Sequence, residues 1–410
     1  MKLRDYQEKT STEAAQTIKE YGLAYLSWEC RIGKSITGLV TAQKYGAKRV
    51  LFLTKKKAIN SVLKDYKELQ KSTVPFELQV LNHESSHKAT INPDFIILDE
   101  AHAIGAYPRP CKKAISIKEI SKGLPVLFMS GTPTPESYSQ LFHQFWISDN
   151  SPFSEYPTFY KWAKDYVITK QKKVNGFTIT DYSNAMKRKI DKAVNHLFYR
   201  YTQEEAGFRC DIEEIDLLCP MKDEISKLLK TLKRDKVIYL SNGEVVLADT
   251  PANLLNKMHQ ISGGTVITSE GVHLILDYGK AKFIRNYFKG KKLAIFYVYQ
   301  TECELLKKIF PNNTESPEEF QSSTDKTFIS QIRKAREGIR LDTADAIVFY
   351  SLEYSYLSYE QGRNRIVSKE RTTPAKVYFA ISEKGIERDI LKAVRSKKDF
   401  TLSWYYRHHS

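Results

Sequence analysis

Two short runs in this chain carry residue types that can bind and cleave a phosphoanhydride. Trp28-Glu29-Cys30-Arg31-Ile32-Gly33-Lys34-Ser35 follows an apolar stretch and opens one of helical character. Backbone amides at a helix start point at an anion, and the helix dipole adds to the attraction. In this reading Arg31, Ile32 and Gly33 belong to a phosphate cradle. Lys34 reaches the β- and γ-phosphates of ATP, and Ser35 ligates Mg2+. Trp28 stands where the usual G-x-x-x-x-G-K-[ST] pattern has its first glycine, and Gly-Lys-Ser alone is ordinary surface sequence. The strand-loop-helix setting is what raises it. The second run, Phe95-Ile96-Ile97-Leu98-Asp99-Glu100-Ala101-His102, ends an apolar segment in two carboxylates. A buried parallel strand delivers such groups to its C-terminal edge, where ligands bind. Asp99 then holds magnesium through water, and Glu100 orients and deprotonates the attacking water. An acidic helix start after a strand is the plain alternative. It loses because Lys34 and Asp99 end two strands separated by one further strand-helix unit.

Two later runs add to this pair. Ser130-Gly131-Thr132-Pro133 follows the apolar Leu124 to Met129. It is either a turn or a coupler between the ATP site and a nucleic-acid track. Gln361-Gly362-Arg363-Asn364-Arg365 lies beyond the apolar Ala346 to Tyr350. Arginines of that kind stabilise charge on a transferring phosphoryl group; the plain alternative is a solvated basic loop.

The elements that must position these residues alternate between strand and helix. Leu23 to Trp28, Arg49 to Thr54, Glu77 to Leu81, Phe95 to Leu98 and Val126 to Ser130 read as strands, with helices such as Ser35 to Lys44 and Ile59 to Gln70 between them. That alternation predicts a parallel sheet covered by helices over 1–145. Over 146–215 strand periodicity fades and Asp181 to Tyr199 has helical spacing, so a mostly helical insertion and linker is expected. Residues 216–410 resume the α/β pattern. A hairpin is expected around Asn242-Gly243, strands at Leu293 to Val298, Ala346 to Tyr350 and Lys376 to Ala380, and a closing helix at Asp389 to Lys397.

Composition narrows the partners. The 410 residues carry a net charge of +16, which favours a polyanion. Basic clusters recur at Lys55 to Lys57, Lys170 to Lys173, Lys187 to Lys189, Lys289 to Lys292 and Arg395 to Lys398. Any one of them reads as a solvated face; their number points to a phosphate-binding surface. Five scattered cysteines form no C-x-x-C pair, which argues against a zinc site or a disulfide framework. No apolar run is long enough to span a bilayer, and the N-terminus has no signal-peptide pattern. A cytoplasmic protein without membrane contact is expected.

Taken in order, these motifs resemble those of superfamily 2 helicases, and more closely the Swi/Snf-like ATPases. The compact, DEAH-type, bacteriophage-encoded members look most similar. The resemblance implies two RecA-like lobes with the helical insertion between them. It makes Gln7, in Leu3-Arg4-Asp5-Tyr6-Gln7, the adenine contact, with Arg4 beside it. Thr54 and Lys55 look like the element that touches the nucleic-acid backbone, Thr132 like motif III, and Gly338 with Thr343 like motif V. Gln361 to Arg365 looks like motif VI, with the arginines two apart rather than three, so either Arg363 or Arg365 is the finger. The implied activity is that of an ATP-dependent DNA helicase or translocase, in phage replication or recombination, with the host cytoplasm as its location. Duplex translocation without strand separation, RNA unwinding, and a non-enzymatic binder with a decayed ATP site are the alternatives.

Overall fold

The computed structural model describes residues 3–29, 31–71, 76–174, 177–207, 211–335, 339–368, 371 and 373–396. Gly338, Cys30, Cys210, Lys397 and Lys398 lie outside them. The chain divides into two compact units, Met1–Phe208 and Arg209–Ser410.

Unit 1 opens with α1 (Asp5–Tyr21), which buries Gln7, Thr10, Ser11, Ala14, Ala15 and Ile18. That three-to-four spacing puts one stripe against the core. Gly22 ends the helix at φ +74°, a left-handed turn suited to glycine. The alternating body follows as β1 (Leu23–Trp28), α2 (Lys34–Tyr45), β2 (Arg49–Thr54), α3 (Ile59–Gln70), β3 (Glu77–Asn82), β4 (Phe95–Asp99), α4 (Lys112–Ser121) and β5 (Val126–Met129). The remainder is α5 (Gln140–Phe145), α6 (Phe159–Tyr166), a hairpin of β6 (Lys170–Val174) and β7 (Phe177–Asp181), α7 (Lys187–Val194) and β8 (Phe198–Tyr201). Strand order in the main sheet is β3-β2-β4-β5-β1-β8, every pair parallel. The central strands are apolar throughout because helices cover both faces. Phe153, Phe159, Trp162, Tyr166, Ile190, Val194 and Leu197 extend that core beyond α5.

This last stretch differs from the helical expectation. The helix predicted over Asp181 to Tyr199 is confined to Lys187–Val194. Asp181 closes a strand, and its Oδ1 accepts from Ser183 N (3.0 Å) to turn the chain. Phe198 begins β8, paired with β1 from Tyr25 onward, its ring stacked on Tyr25 at 4.5 Å. A local period cannot register a partner strand far away in sequence.

Unit 2 comprises β9 (Ile212–Cys219), α8 (Asp223–Asp235), β10 (Val237–Tyr239), β11 (Val245–Leu247), α9 (Pro251–Ser262), β12 (Thr265–Ile267), β13 (His273–Ile275), α10 (Gly279–Tyr287), β14 (Leu293–Tyr297), α11 (Gln300–Ile309), β15 (Asn313–Thr314), α12 (Pro317–Ser322), β16 (Thr327–Gln331), α13 (Ile332–Ala335), β17 (Ala346–Phe349), α14 (Tyr356–Arg363), β18 (Ala375–Ser382) and α15 (Glu387–Arg395). Its sheet runs β15-β16-β14-β17-β18-β9, again all parallel. The β10–β11 hairpin turns at Gly243, φ +86°, as Asn-Gly dictates. Lys280 and Glu387 form a buried ion pair at 2.8 Å that ties α10 to α15. Among the described residues no helix is long and apolar enough to cross a membrane.

Candidate nucleotide site

One register assembles the site in unit 1. Leu26 of β1 and Asp99 of β4 both pair with Met129 of β5. The loops after the three strands, which carry Lys34, Glu100 and Ser130, therefore leave one edge of the sheet side by side. Gly38 lets α2 lie close on it: a Cβ there would stand 2.7 Å from Met129 Sδ.

The loop between β1 and α2 takes two left-handed residues, Arg31 (φ +68°) and Gly33 (φ +88°). No side chain caps α2 and no acid stands in its first turn, so Lys34, Ser35 and Ile36 present their amides at an uncapped, electropositive end. Lys34 Nζ donates to the carbonyls of Trp28 and Glu29, at 2.8 Å each. The ammonium thus folds back over the loop it belongs to. Ile32 is fully buried and anchors the loop.

The start of α1 braces that loop. The Arg4 guanidinium donates to Tyr6 Oη (2.9 Å), and Tyr6 donates to the Ile32 carbonyl (2.9 Å). Gln7 Oε1 accepts from Arg4 N at 3.0 Å, while Gln7 Nε2 lies 3.4 Å from the Gly33 carbonyl. Tyr6 also stacks on Tyr201 of β8 at 4.6 Å. Tyr6 lies inside the Leu3 to Gln7 run but is given no role there, and Tyr201 has no motif to mark it.

Asp99 is buried at the end of β4. Its Oδ2 accepts from Thr54 Oγ1 at 2.8 Å, and its carbonyl meets His83 Nε2 at 2.8 Å. Burial pushes the Asp99 carboxyl up to about 6, helped by the Glu100 charge; the Thr54 hydroxyl and the Lys34 charge oppose the rise. Glu100 is held at φ +51°, a sparsely populated backbone conformation for a glutamate. Its Oε2 lies 3.2 Å from His102 Nδ1, which also meets Ser130 Oγ at 2.9 Å. Ser130 Oγ accepts from Thr132 N at 3.1 Å. Polar contacts thus run from His102 through Ser130 to Thr132, with Glu100 Oε2 beside the His102 ring; Thr132 Oγ1 is buried without a partner among the described residues. Gln144 steadies the next turn by donating to the Pro133 carbonyl (2.8 Å).

Motif order gives Thr54 to the nucleic acid; its side chain is fully buried and donates to Asp99. A hydroxyl in that position orients the carboxylate. Lys55, next along, caps a short 3-10 turn and is half-buried. His83 was missed altogether, because a lone histidine carries no pattern.

In unit 2, the Arg363 guanidinium at the end of α14 pairs with Glu214 of β9 (2.9 Å) and with Glu360 (3.0 Å). Arg365 is buried and donates from Nε to the Gln361 carbonyl (2.9 Å). The Thr343 hydroxyl donates to Gln321 Oε1 (2.6 Å) and accepts from Lys292 Nζ (2.9 Å). Gly338 falls outside the described residues.

No protein-family model and no curated protein sequence matches the chain. Among solved structures, the ATP-dependent Type ISP restriction-modification enzyme LlaBIII bound to DNA is similar over 93% of this chain, with 16% identity and a TM-score of 0.53. The match spans 28% of that enzyme's chain. The Sulfolobus solfataricus SWI2/SNF2 ATPase core domain aligns over 97% of this chain and 89% of its own, with 15% identity and a TM-score of 0.42. Both units are RecA-like α/β lobes. At such identities the likeness speaks to the fold alone.

Proposed function

We propose that this chain is an ATP-driven DNA motor of the superfamily 2, Swi/Snf-like kind, with ATP and Mg2+ held by unit 1. The observation that carries the reading is the shared register of Leu26 and Asp99 on Met129, together with the Lys34 charge acting on Asp99. Phosphate-binding and carboxylate loops at one sheet edge are what nucleotide hydrolysis requires.

The donor set fits a divalent cation. A buried carboxylate whose charge is disfavoured by its neighbour gains from a cation beside it, and Ser35 adds a hydroxyl from the start of α2. Bound there, magnesium would offset the charge on the transferring phosphoryl group. Lys34 exchanges its two carbonyl partners for the β- and γ-phosphates. Gln7 and Arg4 take the adenine end. Glu100 Oε2 accepts the proton of the attacking water, and His102 holds that carboxylate in place. Arg363 or Arg365 supplies positive charge to turnover. Lys55, Thr132 and Thr343 contact the nucleic acid, and the contacts from His102, beside Glu100, through Ser130 to Thr132 link hydrolysis to that grip.

DNA is favoured over RNA as the track. The net charge of +16 calls for a polyanion, and LlaBIII is a DNA-bound enzyme. Strand separation in phage-type replication or recombination is the favoured use. Glu100→Gln should keep nucleotide binding and lose turnover by about 100-fold or more; near-normal turnover overturns the assignment. ATP hydrolysis should rise with DNA. Comparing single-stranded, duplex, forked and four-way DNA with RNA identifies the track. Labelled forks against triplex displacement separate unwinding from translocation alone.

A further inference from the structure

We propose that residues 160–174 and 177–192 of unit 1 form an auxiliary grip for the phosphate backbone of duplex DNA, an inference that rests on the motor reading above. Nine Lys or Arg stand in this stretch against three Asp, so it carries more than a third of the net charge of +16. Helix α7 is the centre of the patch. Its first turn holds Lys187, Arg188 and Lys189, with no acid and no side-chain cap. Cations are disfavoured there, because the helix dipole is positive at that end. An arrangement that opposes local electrostatics is expected where a ligand supplies the missing charge.

The patch is anchored and turned outward. Ile190 and Val194 bury one side of α7 in the aromatic core, leaving Lys187, Arg188, Lys189 and Lys192 exposed. Lys189 Nζ donates to the Asp165 carbonyl (2.8 Å) over the Tyr166 ring, and Lys187 Nζ lies 5.5 Å from the centre of the Tyr138 ring. The one acid of α7, Asp191, is directed to Arg200 at 4.0 Å. Among the described residues, no carboxylate pairs with Lys187, Arg188 or Lys192. A bridge between Val167 and Ala185 fixes the base of the β6–β7 hairpin beside α7, and Lys170 at the start of β6 is exposed. Exposed Ile168 and Ile179 give the hairpin an apolar edge as well. Exposed cations that no carboxylate pairs with among the described residues, on a helix beside exposed Lys170, suit a phosphate backbone.

The test is binding of a fluorophore-labelled blunt DNA duplex to the full chain across a salt series. The K187A/R188A/K192A variant should bind on the order of ten- to a hundredfold more weakly, with a salt slope smaller by about 2 to 3. ATP hydrolysis without DNA should be unchanged. The charge-keeping K187R/R188K/K192R variant should bind like the parent. Unchanged affinity and slope in the alanine variant overturn the inference, and so does weaker binding at the parental slope. If the parent chain hydrolyses ATP but binds no blunt duplex at low salt, the duplex grip fails; if it binds no DNA of any form, the DNA-motor reading itself fails, and both are visible before any variant is made.

Discussion

At the residue scale, Asp99 shows how much of a site lies outside its motif. Its proposed ligand role is read from position on an apolar strand, but its ionisation is set first by burial and then by Glu100, with Thr54, 45 residues away in sequence, opposing the rise. A hydrogen bond to a charged group contributes about 1.5–3 kcal/mol. Thr54→Val should therefore raise the Mg2+ concentration for half-maximal ATP hydrolysis by roughly tenfold, with little change at saturating Mg2+; an unaltered Mg2+ titration counts against the assignment. A second buried carboxylate belongs to unit 2. Glu302 accepts from Val298 N (3.0 Å), Tyr299 N (3.0 Å) and Ser351 Oγ (2.6 Å), yet burial pushes it up from 4.5 to about 7. The folded state then binds more protons than the unfolded one between those pH values. Stability is therefore lost as pH rises through that window, by up to about 3 kcal/mol. Glu302→Gln should flatten the dependence between pH 5 and 8 in denaturant unfolding, and an unchanged slope would refute the cause.

At the element scale, the phosphate loop depends on one glycine. Gly33 has φ +88°, and a Cβ would come within 2.2 Å of Gln7 Nε2. Gly33→Ala combines left-handed strain of about 1–2 kcal/mol with displacement of Gln7. Nucleotide affinity should fall at least tenfold, read by titration with a fluorescent ATP analogue, while the melting point drops only a few degrees. Most central strands were legible because fully apolar runs between helices have few other uses, and the edge strand β3 was legible as well; the inner strand β16 and the edge strands β8 and β9 were not. β8 and the hairpin lie in a stretch rich in lysine and aromatics, and β9 alternates apolar and charged residues, as in Ile212-Glu213-Glu214-Ile215-Asp216. Edge strands bury less, so their sequence carries less of the signal.

At the scale of the whole molecule, both units are built on the same plan, and the motor reading asks both to contribute. Arg363 is the sharpest test, since its guanidinium already serves Glu214 and Glu360. If it takes part in turnover, Arg363→Ala lowers DNA-stimulated hydrolysis by about 100-fold or more, with ATP affinity nearly intact. If it only ties α14 to β9, the variant loses thermal stability and keeps its rate. The same pair of measurements on Arg365→Ala decides which arginine acts.

The sequence by itself determined the α/β class and most of the central strands, and it singled out Lys34, Ser35, Asp99 and Glu100 as candidates for a phosphate and carboxylate set. Strand-helix alternation and apolar runs are local properties, and so are the residue types that chemistry requires. The tertiary structure decided which groups share an edge. It joined β8 to the first sheet, turned Thr54 inward to Asp99, brought His83 to its carbonyl, and set His102 beside Glu100 and against Ser130, which accepts from Thr132. Those are pairings between residues distant along the chain, set by strand register and burial, and no local pattern encodes them.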